Sequence, residues 1–137
     1  METTLVLVKP DGVTRNLTGE ILWRFERRGL RIKGLKMMQM SQELAERHYS
    51  EHQGKPFYTR LVDYITSGPI IAVVLEGENA VRAVRAMIGS TNPSDAAAGT
   101  IRGDFALTME NNVIHGSDGV ESAQREVAIF FAVGEMG

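Results

Sequence analysis

Apolar residues fall along the chain in short runs of two kinds, and their order predicts the architecture. Thr3–Val8 is β-branched and apolar and stops at Lys9-Pro10-Asp11-Gly12, the pattern of a buried strand followed by a turn. Thr18–Arg28 carries Ile21, Leu22 and Phe25 on one helical stripe, with Glu20 in its first turn and Gly29 at its end. Leu30–Met40 predicts a strand with irregular alternation. Ser41 is a candidate N-cap for a helix to about Glu51, stopped by Gly54 and Pro56. Phe57–Ser67 predicts a further helix striped by Phe57, Leu61 and Ile65 and halted by Gly68-Pro69. Ile70–Leu75 is continuously apolar, as a strand covered on both faces must be. Glu78–Ile88 reads as a helix through Val81, Val84 and Ile88. Gly89–Glu110 has little periodicity, yet Pro93, Gly99, Ile101, Phe105 and Leu107 give it groups to pack; loops of this length in compact domains are usually functional or disordered. A strand near Val113–His115, a helix over Val120–Phe131 and an arm or loose tail at Ala132–Gly137 complete the chain.

Strand, helix, strand, two helices, strand, helix, loop, strand, helix is the split βαβ order of a ferredoxin-like α+β fold. The expectation is a four-stranded antiparallel sheet covered by helices, with a helical insertion between the second and third strands. At 137 residues the chain predicts one domain, 1–137, able to bury a real core. A net charge of −2 gives no general pull toward nucleic acid or acidic membranes. The absence of cysteine excludes disulfides and thiolate metal sites and fits a cytoplasmic protein. No run approaches the roughly 18 apolar residues of a membrane span, and the N-terminus has too short an apolar stretch for a signal peptide. Met37-Met38 and Met40 read as core fillers.

Candidate chemistry centres on Asn111–Gly119, NNVIHGSDG, which holds one of only three histidines. His115 ends a short apolar pair and meets Gly116, Ser117, Asp118 and Gly119, a tight polar turn. Asp118 with Glu121 three residues on is a helix-start signal, so backbone N–H groups should face an anion beside His115. Gly119, Ser122 and Glu126 share one side of that helix, and long helical side chains lean toward the N-terminus, so Glu126 should reach His115. A carboxylate on one ring nitrogen fixes the tautomer and frees the other as a nucleophile. A surface turn with a fortuitous histidine fits the local residues equally well. Lys9 ends a strand, where a solvated lysine is the commoner outcome. Arg85 faces inward and needs an anionic partner. His48 and His52 at i, i+4 lack an evident third metal ligand, and Tyr49 and His52 lining a cleft is the better reading. Phe57 is either core, which its position favours, or a ring offered to a planar ligand. Neither a Walker A motif nor GxGxxG is present.

Taken together, VKPDGV at Val8–Val13, HYSEHQGKPF at His48–Phe57, SGP at Ser67–Pro69, GSTNPSDAAAGTIRGDF at Gly89–Phe105 and NNVIHGSDGVES at Asn111–Ser122 closely resemble the nucleoside diphosphate kinases over essentially the whole chain. The resemblance implies transfer of the γ-phosphoryl group of a nucleoside triphosphate, mainly ATP, to a nucleoside diphosphate through phosphohistidine at His115. It implies Glu126 and Ser117 as orienters of that ring, and Lys9 and Tyr49 beside the transferring group. Lys9 and Asn112 would reach the ribose, and His52, Arg85, Thr91 and Arg102 the phosphates. Phe57 would stack on the base, with Leu61, Met109 and Gly116 completing the nucleotide site. Asp118 would lie near a Mg²⁺ ion coordinated mostly by phosphates. The family's tetramers and hexamers, built from one type of dimer, imply a homo-oligomer, with Gly89–Glu110 as the active-site loop at a subunit contact. Three positions depart from the family's pattern: Gly119 for serine, Ala98 for proline before Gly99, and Met109 for a smaller aliphatic group. Two rival classes remain, a non-catalytic nucleotide-binding or assembly module and a histidine phosphatase. Labelling from γ-labelled ATP separates them.

Overall fold

The computed structural model describes Met1–Gly137. Four strands, β1 (Glu2–Val8), β2 (Arg31–Met38), β3 (Ile70–Gly77) and β4 (Ile114–Gly116), form one sheet in the order β2-β3-β1-β4. Every neighbouring pair is antiparallel, which gives the ferredoxin-like α+β arrangement. Seven α-helices accompany the sheet: α1 (Pro10–Thr14), α2 (Thr18–Arg28), α3 (Gln42–His48), α4 (Tyr58–Ile65), α5 (Ala80–Ile88), α6 (Ile101–Phe105) and α7 (Val120–Phe130).

Side chains alternate across a strand, so the two central strands sort their residues into two cores. Val6, Val8, Ile71, Val73 and Leu75 meet Ile21 and Phe25 of α2, Val84 and Ile88 of α5, and Ile101. Leu5, Leu7, Ile70, Ala72 and Val74 meet Ala45, Tyr49, Val62 and Ile65 of the insertion, and Phe130 of α7. Burial on both faces explains the unbroken apolar run of β3. A fully buried branched aliphatic contributes roughly 1.5–3 kcal/mol, and its truncation to alanine costs about 2–5. Ile65→Ala, at a side chain with no exposure, would therefore loosen the whole insertion.

Three expectations are corrected. Lys9–Gly12 is not a simple turn: Pro10 opens α1, with its ring at the first position, where the missing N–H costs nothing. β2 is an edge strand whose register shifts between Ile32 and Gly34, which accounts for its irregular alternation. On that edge Met37 is 64% exposed, so of the three methionines only Met40 is fully a core filler. The predicted long loop holds a 3₁₀ turn at Pro93–Asp95 and the short helix α6. The Thr100 hydroxyl accepts from Gly103 N–H at 3.0 Å and donates to Ala97 C=O at 2.6 Å. A Cβ on Gly103 would lie 1.9 Å from the Ala97 carbonyl oxygen, so only glycine fits there.

Candidate active site

β4 pairs with β1 for only three residues, Val6 with Gly116, Leu7 with His115 and Val8 with Ile114. That register sets His115 at the sheet's edge, beside the end of β1 that leads to Lys9. The chain enters β4 through a strained γ-turn: Ile114 N–H donates to Asn112 C=O at 2.8 Å, with Val113 between them at φ 73°. A β-branched residue at positive φ costs of the order of 1–3 kcal/mol. Full burial of the Val113 side chain and a 2.9 Å bond from Lys9 N–H to its carbonyl hold the turn in place.

Glu126 sits in the second turn of α7 and reaches back as its spacing requires. Its Oε1 lies 3.0 Å from His115 Nε2 and accepts from the Ser117 hydroxyl at 2.6 Å. Leu5 N–H in turn donates to Ser117 Oγ at 3.2 Å. Burial works against the Glu126 carboxylate, but the hydrogen bonds from His115 and Ser117 and the charge of His115 outweigh it and hold its pKa at about 2. With Nε2 engaged as donor, Nδ1 is the free nitrogen of the ring. Ser117 thus orients the carboxylate rather than the imidazole. Asp118 does not cap α7: Gly119, in extended conformation, occupies the N-cap with no side-chain bond. Asp118 is exposed, with no hydrogen bond or ion pair.

Three cations bond to the segment that carries His115. Lys9 Nζ donates to Asn112 Oδ1 at 2.8 Å, and Asn112 Nδ2 to Thr91 C=O at 3.3 Å. Arg102, only 3% exposed, donates to the carbonyls of Asn112, Gly89 and Ile114 at 3.4, 3.2 and 2.7 Å. Arg85 donates to Gly116 C=O at 3.4 Å. None of the three has a carboxylate within ion-pair distance, so the anionic partner expected for Arg85 is not a carboxylate of this chain. Burial and the neighbouring Arg102 push Lys9 down to about 8, with Asp11 opposing. Burial and Arg85 push Arg102 down to about 10.

A file of rings leads from His115 to the surface. His48 lies 4.8 Å from His115 between ring centroids, Tyr49 4.6 Å from His48, His52 6.2 Å from Tyr49, and Phe57 5.3 Å from His52. Phe57 is 38% exposed and outside both cores, which overturns the core assignment its position favoured. Burial and Glu126 raise Tyr49 to about 12, so its hydroxyl keeps its proton. Leu61 is half-buried one turn after Phe57, packed on the insertion's core. Met109 is half-exposed and Thr91 exposed, and neither side chain makes a hydrogen bond. The structure thus joins Lys9, Thr91, Arg102 and Asn112 in one hydrogen-bonded group, and His115, Ser117 and Glu126 in another.

Sequence reasoning passed over His48 as a participant. It is 3% exposed, lies against His115, and neither ring nitrogen has a partner. Its signal was the inward stripe of Leu44, Ala45 and His48, which turns the ring toward His115 rather than His52. Burial first, then the proximity of His115, lowers it to about 3, so it is neutral at ordinary pH.

The family model described as Nucleoside diphosphate kinase matches residues 2–136. The chain belongs to the nucleoside diphosphate kinase family. Nucleoside diphosphate kinases move a phosphoryl group between nucleotides through a phosphohistidine, so this chain is a phosphotransferase. It is 62% identical over 136 residues to a nucleoside diphosphate kinase of Thermus thermophilus, covering 99% of each. Identity to the Archaeoglobus fulgidus nucleoside diphosphate kinase is 55%, over 99% of this chain and 90% of that one. Among solved structures, the halophilic nucleoside diphosphate kinase of Halobacterium salinarum in complex with CDP superposes with a TM-score of 0.97 at 49% identity, over 99% of this chain and 91% of that one. A nucleoside diphosphate kinase family protein from Babesia bovis gives 0.98 at 42%, over 100% and 93%.

Proposed function

We propose that His115 Nδ1 is the atom that carries the phosphoryl group in this chain. Its lone pair attacks the γ-phosphorus of a nucleoside triphosphate, mainly ATP, the bond to the bridging oxygen breaks, and the diphosphate leaves. A terminal oxygen of a second nucleoside diphosphate then takes the group back, breaking the N–P bond. One observation carries this reading: a carboxylate-held imidazole with one free nitrogen lies in the segment Asn112–Gly116, to which three cations without a protein counter-ion are bonded. Phosphoryl transfer is mainly positioning and charge stabilisation, which those cations supply to a polyphosphate. Lys9, lowered to about 8 by burial and Arg102, regains its full charge beside phosphate oxygens. Tyr49, kept as an O–H donor, serves the transferring group.

Arg85, Arg102, Thr91 and His52 hold the phosphates in this reading, and Lys9 with Asn112 the ribose. Phe57, Leu61, Met109 and Gly116 flank the base and sugar. Stacking is tolerant of base identity, so one site accepts purine and pyrimidine nucleotides in turn, with ping-pong kinetics. Asp118 is the one exposed carboxylate of the His115 turn. A single hard oxygen suits Mg²⁺ that arrives with the nucleotide, an ion that usually takes one or two carboxylates plus substrate phosphates. Bound there, Mg²⁺ would neutralise phosphate charge. The apolar side chains Leu35 and Met37 exposed on the edge strand β2, and the exposed Leu107 and Val133, favour a homo-oligomer, a tetramer or hexamer of dimers. We place the enzyme in the cytoplasm, with its nucleotides.

The test is incubation with γ-labelled ATP and Mg²⁺. Acid-labile label should appear on the wild-type chain and be absent from His115→Ala, which should still bind nucleotide. Label retained by that variant overturns the assignment. Label lost to water faster than to added diphosphate favours the phosphatase.

A further inference from the structure

We propose that His48, His115 and Glu126 form a chelating site for a borderline-soft divalent ion of the zinc class, and that an ion there silences the phosphorylation site. The end of α3, the middle of β4 and the second turn of α7 bring these three side chains together. One donor atom from each lies within 4.8 Å of the others. Two imidazoles and a carboxylate are a donor set that zinc takes, with a fourth position left for water.

His48 points to a ligand independently of that clustering. Its ring lies in a bed of Tyr49, Phe130 and His115 with both nitrogens buried and unpartnered. A phenyl ring would fill the same space without stranding two polar atoms, whereas a neutral imidazole nitrogen is a ready metal ligand. The outer shell is also built. Ser117 donates to the Glu126 oxygen that faces His115 and is itself fixed by Leu5 N–H. Such bonds orient ligands and raise their affinity.

Tetrahedral zinc, with bonds near 2.0–2.1 Å, sets its donors about 3.3 Å apart. The His115–Glu126 side of the triangle already measures 3.0 Å. All three donors lie within 4.8 Å of one another, so the remaining sides must close by at most about 1.5 Å, small rotations of His48 and of His115, whose side chain is 23% exposed. That exposure is also the ion's route in. The ion would replace the proton between Nε2 and Oε1, which leaves to solvent. It would draw electron density from the ring and take Glu126 out of its orienting role. Mg²⁺ does not compete, because it demands near-octahedral oxygen coordination at about 2.0–2.1 Å. The nucleotide's own metal and the inhibitory one are thus separated by ligand chemistry. Only the inhibitory half of the proposal rests on His115 as nucleophile.

The test uses the full chain, chelator-stripped and nucleotide-free. Cobalt(II) should develop the strong visible bands of a tetrahedral site, and zinc should displace it with measurable heat. His48→Phe keeps the ring's volume and removes one ligand, and should weaken zinc binding at least tenfold; His48→Gln serves as a second variant if the first melts early. In assays at saturating Mg²⁺-ATP, micromolar zinc should inhibit the wild type, with chelator reversing it. The turnover left in the variants should be at least tenfold less sensitive to zinc. Absence of cobalt bands and heat, or equal zinc affinity in wild type and both variants, overturns the proposal. Metal-free labelling of His115 tests the kinase reading separately.

Discussion

Glu126 and Arg102 are both charged groups taken almost wholly out of water, at 4% and 3% exposure, and the fold treats them oppositely. Glu126 receives hydrogen bonds from His115 and Ser117 that hold it ionised, with a pKa of about 2. Arg102 donates only to neutral carbonyls, and burial with the neighbouring Arg85 lowers its pKa to about 10. Lys9 follows Arg102, at about 8. The carboxylate belongs to a finished arrangement; the cations belong to one that an anion would complete. A buried charge without a partner is costly, so these cations carry a free-energy deficit that a polyphosphate relieves.

The sharpest way to break this contrast is Glu126→Gln. An amide can hydrogen-bond but cannot favour the correct imidazole tautomer as a charge does, so the phosphorylation rate should fall by roughly 10²–10⁴. The same variant tests stability. The Glu126 pKa falls from 4.5 to about 2 on folding, so its contribution is complete above pH 4.5 and is lost as pH drops toward 2. The wild type's advantage over the variant in thermal melts should shrink across that window. An advantage constant down to pH 2 would mean that the carboxylate's charge does not stabilise the fold.

Lys9→Met should do the reverse. Nucleotide affinity should fall by about 10², the scale of a lost charge-assisted contact. The nucleotide-free protein, however, should gain stability at pH 7. The folded pKa of about 8 lies below 10.5, so the unfolded chain binds the proton more tightly, and wild-type stability rises from pH 8 to 10.5. The variant's gain should therefore fade by pH 10 in urea unfolding. A destabilised variant at pH 7 would show that Lys9 is finished as Glu126 is.

Phe57→Ala sharpens the contrast from the edge of the cleft. A ring already 38% exposed leaves the core almost untouched when removed, so melting should barely move. Nucleotide binding should weaken by about 1–3 kcal/mol, similarly for purines and pyrimidines. Gly119→Ser is the smallest change. No atom lies within 4 Å of a Cβ there, the backbone is extended, and a hydroxyl could cap α7. A gain of a few tenths of a kcal/mol in stability, with turnover unchanged, is expected.

Local pattern made most of this fold legible. Val6 and Val8 alternate with Leu5 and Leu7, and Ile70–Leu75 is apolar throughout, so the central strands declare themselves. The Glu126 contact was legible because helical spacing is rigid. What was hidden depended on distant partners. Gly103 looks like a breaker, yet α6 forms around it because Thr100 caps the helix and Ala97 leaves no room for a side chain. His48 looked like half of an i, i+4 pair. The α-helix ends at His48 itself and a 3₁₀ turn carries His52, so that geometry is lost and His48 joins His115 instead. Phe57 failed for a related reason: a stripe of period 3.6 does not say where along its length the core stops.

The pairing of β4 with β1 has a consequence for how an active molecule comes into being. His115 is registered on Leu7, and Ser117 is tied to Leu5 across 112 residues. Contacts of such separation form late, because loop-closure entropy must be met before they return anything. During synthesis the first strand, the insertion and most of the sheet can assemble while the nucleophile and its carboxylate are still being made. Any growing chain that stops short of Glu126 holds the cations without the imidazole's partner, a binder of phosphates before it is a catalyst.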